Sequence, residues 1–138
     1  MRVVLDTNVI ISGLLWEKAT KALFDLADTC QITICLTPKI IEEISRVLNY
    51  PKIRKQLDSI NLTIDEIINY LLQTSELYSD IPIDINLSDV SDRIFVAAAI
   101  VSKAEYIVTG DKHLLTLDGF QNIKILKPRD FLKLLERS

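Results

Sequence analysis

An α/β fold, with a mostly parallel sheet carrying helices on both faces, is the architecture this sequence predicts. Short β-branched runs alternate with stretches whose apolar residues recur at helical spacing, the pattern of strands joined by crossover helices. The segment Ser91 to Lys103 holds Ile94, Phe95, Val96, Ala97, Ala98, Ala99, Ile100 and Val101 in succession. A helix apolar nearly all the way round belongs in an interior. Hydrophobic residues form 49% of the 138-residue chain and charged residues 25%, which suits one packed domain spanning residues 1–138.

In chain order, Arg2 to Leu5 reads as a buried strand, and Lys18 to Asp28 sets Ala19, Ala22, Leu23, Leu26 and Ala27 at helical spacing. Ile32 to Leu36, short and β-branched, is a second strand. Thr37-Pro38 then gives a helix start, threonine as N-cap and proline at the first helical position, and that helix runs to about Leu48. Pro51 interrupts it. Lys52 to Ser59 forms a short further helix, and Thr63 caps a segment in which Ile64, Ile67, Ile68, Leu71 and Leu72 share a face. These two middle helices are expected to pack as a hairpin. A looser stretch from Ile81 to Leu87 leads to Ser88 and Asp89, either of which suits an N-cap for the alanine-rich helix. Tyr106 to Thr109 is a strand, His113 to Leu117 a short turn or helix, and Ile123 to Leu126 a last strand. Pro128 opens a terminal helix bearing Phe131, Leu132, Leu134 and Leu135.

No segment reaches the roughly 18 uninterrupted apolar residues of a membrane span. The first run, Val3-Val4-Leu5, is ended by Asp6 and lacks the length of a signal peptide, so a cytoplasmic location is expected. Cys30 and Cys35 match neither a CxxC redox pair nor a zinc knuckle, and the single His113 leaves too few soft ligands for zinc. Both thiols are expected in or near the core. With 16 basic and 19 acidic residues the net charge is −3, which gives no overall attraction to nucleic acid. Any such contact must be local. Between Lys39 and Lys55, the cations Lys39, Arg46, Lys52, Arg54 and Lys55 outnumber Glu42 and Glu43, giving either a phosphate-binding surface or an ordinary solvated helix face.

Four acids occupy special places: Asp6 closes the first apolar run, Glu43 stands at the edge of a helical face, Asp92 opens the alanine-rich helix, and Asp111 closes another apolar run. Mg²⁺ and Mn²⁺ take oxygen ligands, and carboxylates gathered in an apolar domain repel one another unless a cation sits among them. Ligands of open parallel sheets bind beyond the carboxyl ends of the strands, where Asp6 and Asp111 stand. A strand-end aspartate is also a common turn former or helix cap. Its company singles each one out: Asp6-Thr7-Asn8 adds two polar groups, and Thr109-Gly110-Asp111 adds a hydroxyl and a glycine that permits close backbone approach. At about 100° per residue, Glu43 falls about 40° outside Val47 on the apolar arc, whereas Glu42 points to the opposite side. A partly buried glutamate needs a partner, either an ion or a nearby lysine. Asp92 lies within the first helical turn, where an acid favours the macrodipole and is also placed to reach a strand-end carboxylate.

The four carboxylates offset up to two divalent cations. Two ions about 4 Å apart can activate a water and stabilise the leaving oxygen of an in-line displacement at phosphorus, with no histidine base. A phosphatase using Asp6 as nucleophile would need a second aspartate two residues on, and Asn8 stands there instead. The aliphatics from Ile53 to Leu77 exceed what one packing face needs, so they either fill the domain's own core or support a two-fold homodimer. A dimer would let Arg46, Lys52, Arg54 and Lys55 of both subunits bracket a nucleic-acid strand.

The runs Val4-Leu5-Asp6-Thr7-Asn8, Glu42-Glu43-Ile44 to Val47-Leu48, Asp89 to Asp92 with its alanines, and Tyr106-Ile107-Val108-Thr109-Gly110-Asp111-Lys112-His113-Leu114-Leu115 resemble a PIN domain. The likeness extends to Ile125-Leu126-Lys127-Pro128 and Phe131-Leu132, essentially the whole chain, and is greatest to the VapC-like toxin components of toxin–antitoxin pairs. Val90 departs from that branch, which usually has proline after the aspartate; the departure bears on the turn and leaves Asp92 in place. The resemblance implies a three-layer α/β/α sandwich and Mg²⁺- or Mn²⁺-dependent endoribonuclease activity that leaves a 5′-phosphate and a 3′-hydroxyl. It implies an acidic cluster of Asp6, Glu43, Asp92 and Asp111, with Asn8 and Thr109 as supporting polar positions, and a cognate antitoxin as partner. The alternative is a non-catalytic PIN-like domain that binds RNA or protein.

Overall fold

The computed structural model describes residues 1–15, 18–82 and 90–137. Five strands, β1 (Arg2–Leu5), β2 (Thr33–Leu36), β3 (Ser75–Leu77), β4 (Tyr106–Val108) and β5 (Lys124–Leu126), form one sheet in the order β3-β2-β1-β4-β5. Every pairing is parallel. The intervening helices are α1 (Thr7–Leu15), α2 (Lys18–Asp28), α3 (Pro38–Leu48), α4 (Pro51–Ser59), α5 (Ile64–Thr74), α6 (Val90–Ser102), α7 (Lys112–Leu115) and α8 (Pro128–Glu136). Successive side chains of a strand point to opposite faces, yet Val3, Val4 and Leu5 are all 0% exposed, so helices cover the sheet on both sides. This is the expected α/β/α sandwich.

The helix starts follow their sequence signals. The Thr37 hydroxyl accepts the Ile40 N–H at 3.4 Å with Pro38 inside the first turn. Thr63 and Glu66 form a reciprocal capping box at the start of α5, where losing the threonine would cost about 1 kcal/mol. Pro51 opens α4 itself, one residue before the expected start. The middle helices are organised by α3, which packs on both α4 and α5, and not as a hairpin of those two alone. Ser88 and Asp89 lie outside the described residues, as do positions 83–87 of the looser stretch.

Two elements escape the sequence pattern. Helix α1 is built from Val9, Ile10, Ile11 and Gly13, all poor helix formers, but it buries all four. It packs closely on α2: a Cβ added at Gly13 would lie 2.7 Å from a Phe24 ring carbon and 2.9 Å from the Thr20 carbonyl oxygen. Strand β3 has three residues at the sheet edge, too short to show a period, and its Leu77 is 56% exposed. The expectation for the cysteines holds for Cys35 only. Cys35 is buried in β2, whereas Cys30 is exposed in the turn after α2 with a left-handed φ of 62°, because the chain must reverse there to enter β2.

Candidate functional site

The crossovers from β1 run through β2 to β3 on one side, while β4 and β5 lie on the other, so the winding reverses between β1 and β4. In an open parallel sheet this places a crevice beyond the carboxyl ends of those two strands. Asp6 follows β1, and Thr109 and Asp111 follow β4. The backbone registers them: Leu5 pairs with Val108, and the Asp6 N–H donates to the Val108 carbonyl at 3.2 Å.

A continuous hydrogen-bonded chain joins the three residues. The fully buried Thr109 hydroxyl donates to Asp6 Oδ2 and accepts the Asp111 N–H at 2.9 Å. The other oxygen of Asp6 accepts the Val9 N–H at 2.8 Å, making Asp6 the N-cap of α1, and Asp111 caps α7 by accepting the His113 N–H at 2.7 Å. Both strand-end aspartates thus perform the capping role open to them while converging on one place. Asp6 is only 5% exposed. Burial pushes its carboxyl above the ordinary aspartate range and the Asp111 charge adds to this, against the Thr109 hydroxyl and the Val9 and Asn8 amides, which favour the carboxylate.

Asn8 contributes through its backbone, and the residue itself is exposed. The polar group turned inward is Thr7, whose buried hydroxyl oxygen has no hydrogen-bond partner among the described residues. Asp92 lies buried in the first turn of α6, the helix that packs on β1, β2 and β4. Glu43 has a 19% exposed side chain, while Glu42 is exposed, as helical geometry predicts. The side chain that meets it is an arginine and not a lysine: Arg46 Nη2 lies 2.6 Å from Glu43 Oε1. Arg46 Nη1 also donates to the Tyr50 hydroxyl at 2.6 Å.

Asp6 and Asp111 therefore come together, and the carboxylate of Glu43 is held by Arg46. Among the described residues, no three acidic, histidine or cysteine side chains are gathered as around an ion. The donor chemistry nevertheless fits a hard cation, with oxygen ligands alone, the buried carboxylate of Asp6, the half-buried one of Asp111 and an orphaned hydroxyl oxygen at Thr7. Lys39, Lys52, Arg54 and Lys55 are all exposed, and Arg54 donates to Asn49 Oδ1 at 3.2 Å. Sequence reasoning passed over Arg93. With Lys39 it lines a cavity of about 240 Å³ between the starts of α3 and α6, and its position directly after Asp92 was the available signal.

A three-layer sandwich with acids at the switch point of a parallel sheet defines a class, and the sequence itself gives the family. A family model described as a PIN domain matches residues 2–113, and the chain belongs to the PIN domain family. Two solved structures share the fold. VapBC2 from Rickettsia felis, bound to a DNA fragment from their promoter, matches with a TM-score of 0.59 and 14% identity, covering 91% of this chain and 97% of that one. The PIN domain of human SMG5 matches with a TM-score of 0.52 and 11% identity, covering 98% and 99%. A search of curated protein sequences gives no significant match. Among the described residues no helix is long and apolar enough to cross a membrane.

Proposed function

We propose that residues 1–138 form a single nuclease domain, a Mg²⁺- or Mn²⁺-dependent endoribonuclease whose metal ligands are Asp6, Glu43, Asp92 and Asp111. The observation that carries this reading is the Asp6–Thr109–Asp111 chain, in which two carboxylates are brought together at the switch point although Asp6 is buried and the Asp111 charge opposes its ionisation. A bound divalent ion would offset that repulsion, polarise the scissile phosphate and supply a hydroxide-like nucleophile at neutral pH. The Thr109 hydroxyl and the Val9 amide fix the two Asp6 oxygens, so the carboxylate is pre-oriented. Arg46, Lys52, Arg54 and Lys55 offer cations to the RNA backbone, which positions a strand without reading its bases. The products are an RNA 5′-phosphate and a 3′-hydroxyl.

The likeness to VapBC2 supports a place in a toxin–antitoxin pair, with a cognate antitoxin as partner and the cytoplasm as the site of action. Exposed Tyr50, Ile60, Leu72 and Leu77, at 44%, 54%, 43% and 56%, support a homodimer. Sedimentation at micromolar concentration checks this, a single species near the 15.7 kDa chain mass counting against it. A second reading, a PIN domain that binds RNA or protein without cutting, draws support from the Glu43–Arg46 pairing and from the absence of a gathered three-acid group among the described residues. Incubation of the purified protein with a mixed RNA pool separates the two. Cleavage with Mn²⁺ that stops with chelator and in Asp6→Asn supports the nuclease, and retention of RNA without cleavage supports the second reading.

A further inference from the structure

We propose that Arg46 is an internal counter-ion for Glu43, one that yields the carboxylate to a divalent cation and then serves an RNA phosphate from its seat on Tyr50. This rests on the metal-dependent reading above. Glu43 and Arg46 stand three residues apart on one stripe of α3, and Tyr50 follows just past the end of that helix, where it precedes α4. The guanidinium holds Glu43 Oε1 at 2.6 Å through Nη2 and the Tyr50 hydroxyl at 2.6 Å through Nη1, and its carbon lies 5.8 Å from the Tyr50 ring centroid.

The two partners are unequally exposed, Arg46 at 58% and Glu43 at 19%. A mostly covered carboxylate loses much if its counter-charge leaves, whereas a mostly wet guanidinium loses little. The pair therefore opens only when another cation reaches Glu43, and a divalent ion brings more charge than the arginine did. Arg46 then stays tethered through the Tyr50 hydroxyl and the face of its ring. Its planar fork, no longer shared with a carboxylate, suits a phosphate. The exposed Tyr50 ring beside it offers a stacking surface for a base. Ion binding and RNA binding thereby become positively coupled, and each strengthens the other by the same factor.

Titration calorimetry with Mn²⁺ alone tests the exchange. Arg46→Ala and the size-preserving Arg46→Gln should each bind Mn²⁺ more tightly than the wild type, by about threefold, because the ion no longer displaces a resident cation. In a Glu43→Gln background the same changes should have no effect on Mn²⁺ affinity. Unchanged or weaker Mn²⁺ binding in folded Arg46→Ala and Arg46→Gln, judged by circular dichroism, would overturn the exchange while leaving the metal site standing. Failure of the wild type itself to bind Mn²⁺ would remove the metal-dependent reading, and this inference with it.

Discussion

Asp6 and Asp111 leave strands β1 and β4 and are held by backbone amides and one buried hydroxyl, whereas Glu43 rides on α3 and is held by another flexible side chain. The first pair is positioned by elements that the core already fixes: Leu5, Ile107 and Val108 are 0% exposed. Burying a side chain of that kind contributes about 1.5–3 kcal/mol, so these strand ends have little freedom to move. Glu43 is neutralised where it stands, and no strand end dictates its partner. On the metal-dependent reading proposed above, the strand-end half would be prepared before an ion arrives, and the helical half would be rearranged by one. Asp92 lies between these cases, buried like Asp6 and helical like Glu43.

The largest difference is expected in cleavage. Asp6→Asn and Asp111→Asn each remove a charge from the prepared pair and should lower Mn²⁺-dependent RNA cleavage by about 100-fold or more. Glu43→Gln should lose less when assayed at high Mn²⁺ concentration. Equal losses across the three variants would show that the two halves act as one, and the comparison would fail.

Thr109 is the joint within the strand-end half. Thr109→Val keeps the shape but leaves Asp6 Oδ2 and the Asp111 N–H without their shared partner. Denaturant midpoints should show a loss of about 1–3 kcal/mol, the usual cost of a buried polar group deprived of its hydrogen bond. A neutral result would mean that water replaces the hydroxyl and that the positions are not fixed as described.

Much of this half was legible in the sequence because its signals are local. Strand ends, the alternation of strand and helix, and the Thr37-Pro38 and Thr63 starts each occupy a few adjacent residues. The apolar arc of α3 likewise separated Glu43 from Glu42. What could not be read depended on contacts between distant segments. Helix α1 forms from weak helix formers because α2, with Phe24, and α3 receive it, and β3 gains strand character only by pairing with β2. The Glu43–Arg46 pair was open to sequence reasoning, since a spacing of three residues on a helix brings side chains together. Arg46 was instead assigned to RNA on charge alone, and a lysine was expected as the side chain that would neutralise Glu43 without an ion.

A smaller effect concerns stability without metal. The Asp6 carboxyl is shifted upward, so the folded state holds its proton more tightly than the unfolded chain does. The associated stability is fully present below the ordinary aspartate range and is lost as pH rises through the folded-state value. At neutral pH and in chelator, the wild type therefore carries a penalty that Asp6→Asn relieves, while asparagine keeps the N-cap of α1. The variant should be the more stable of the two, with a higher Tm. Melts across an acidic series should show the advantage shrinking as Asp6 becomes protonated in the wild type.

Glu43→Gln supplies the counterpart, and the smallest change. Its carboxylate is already compensated by Arg46, and the guanidinium it would release is well exposed, so neither partner is left buried and uncompensated. The amide oxygen of glutamine can still accept a hydrogen bond from Arg46. In chelator at neutral pH, Tm should therefore stay within about a degree or two of the wild type, in contrast to the rise in Asp6→Asn. A rise as large as that of Asp6→Asn would mean that Glu43 is repelled by the strand-end acids in the absence of an ion, placing it with them in a single electrostatic unit that Arg46 does not offset.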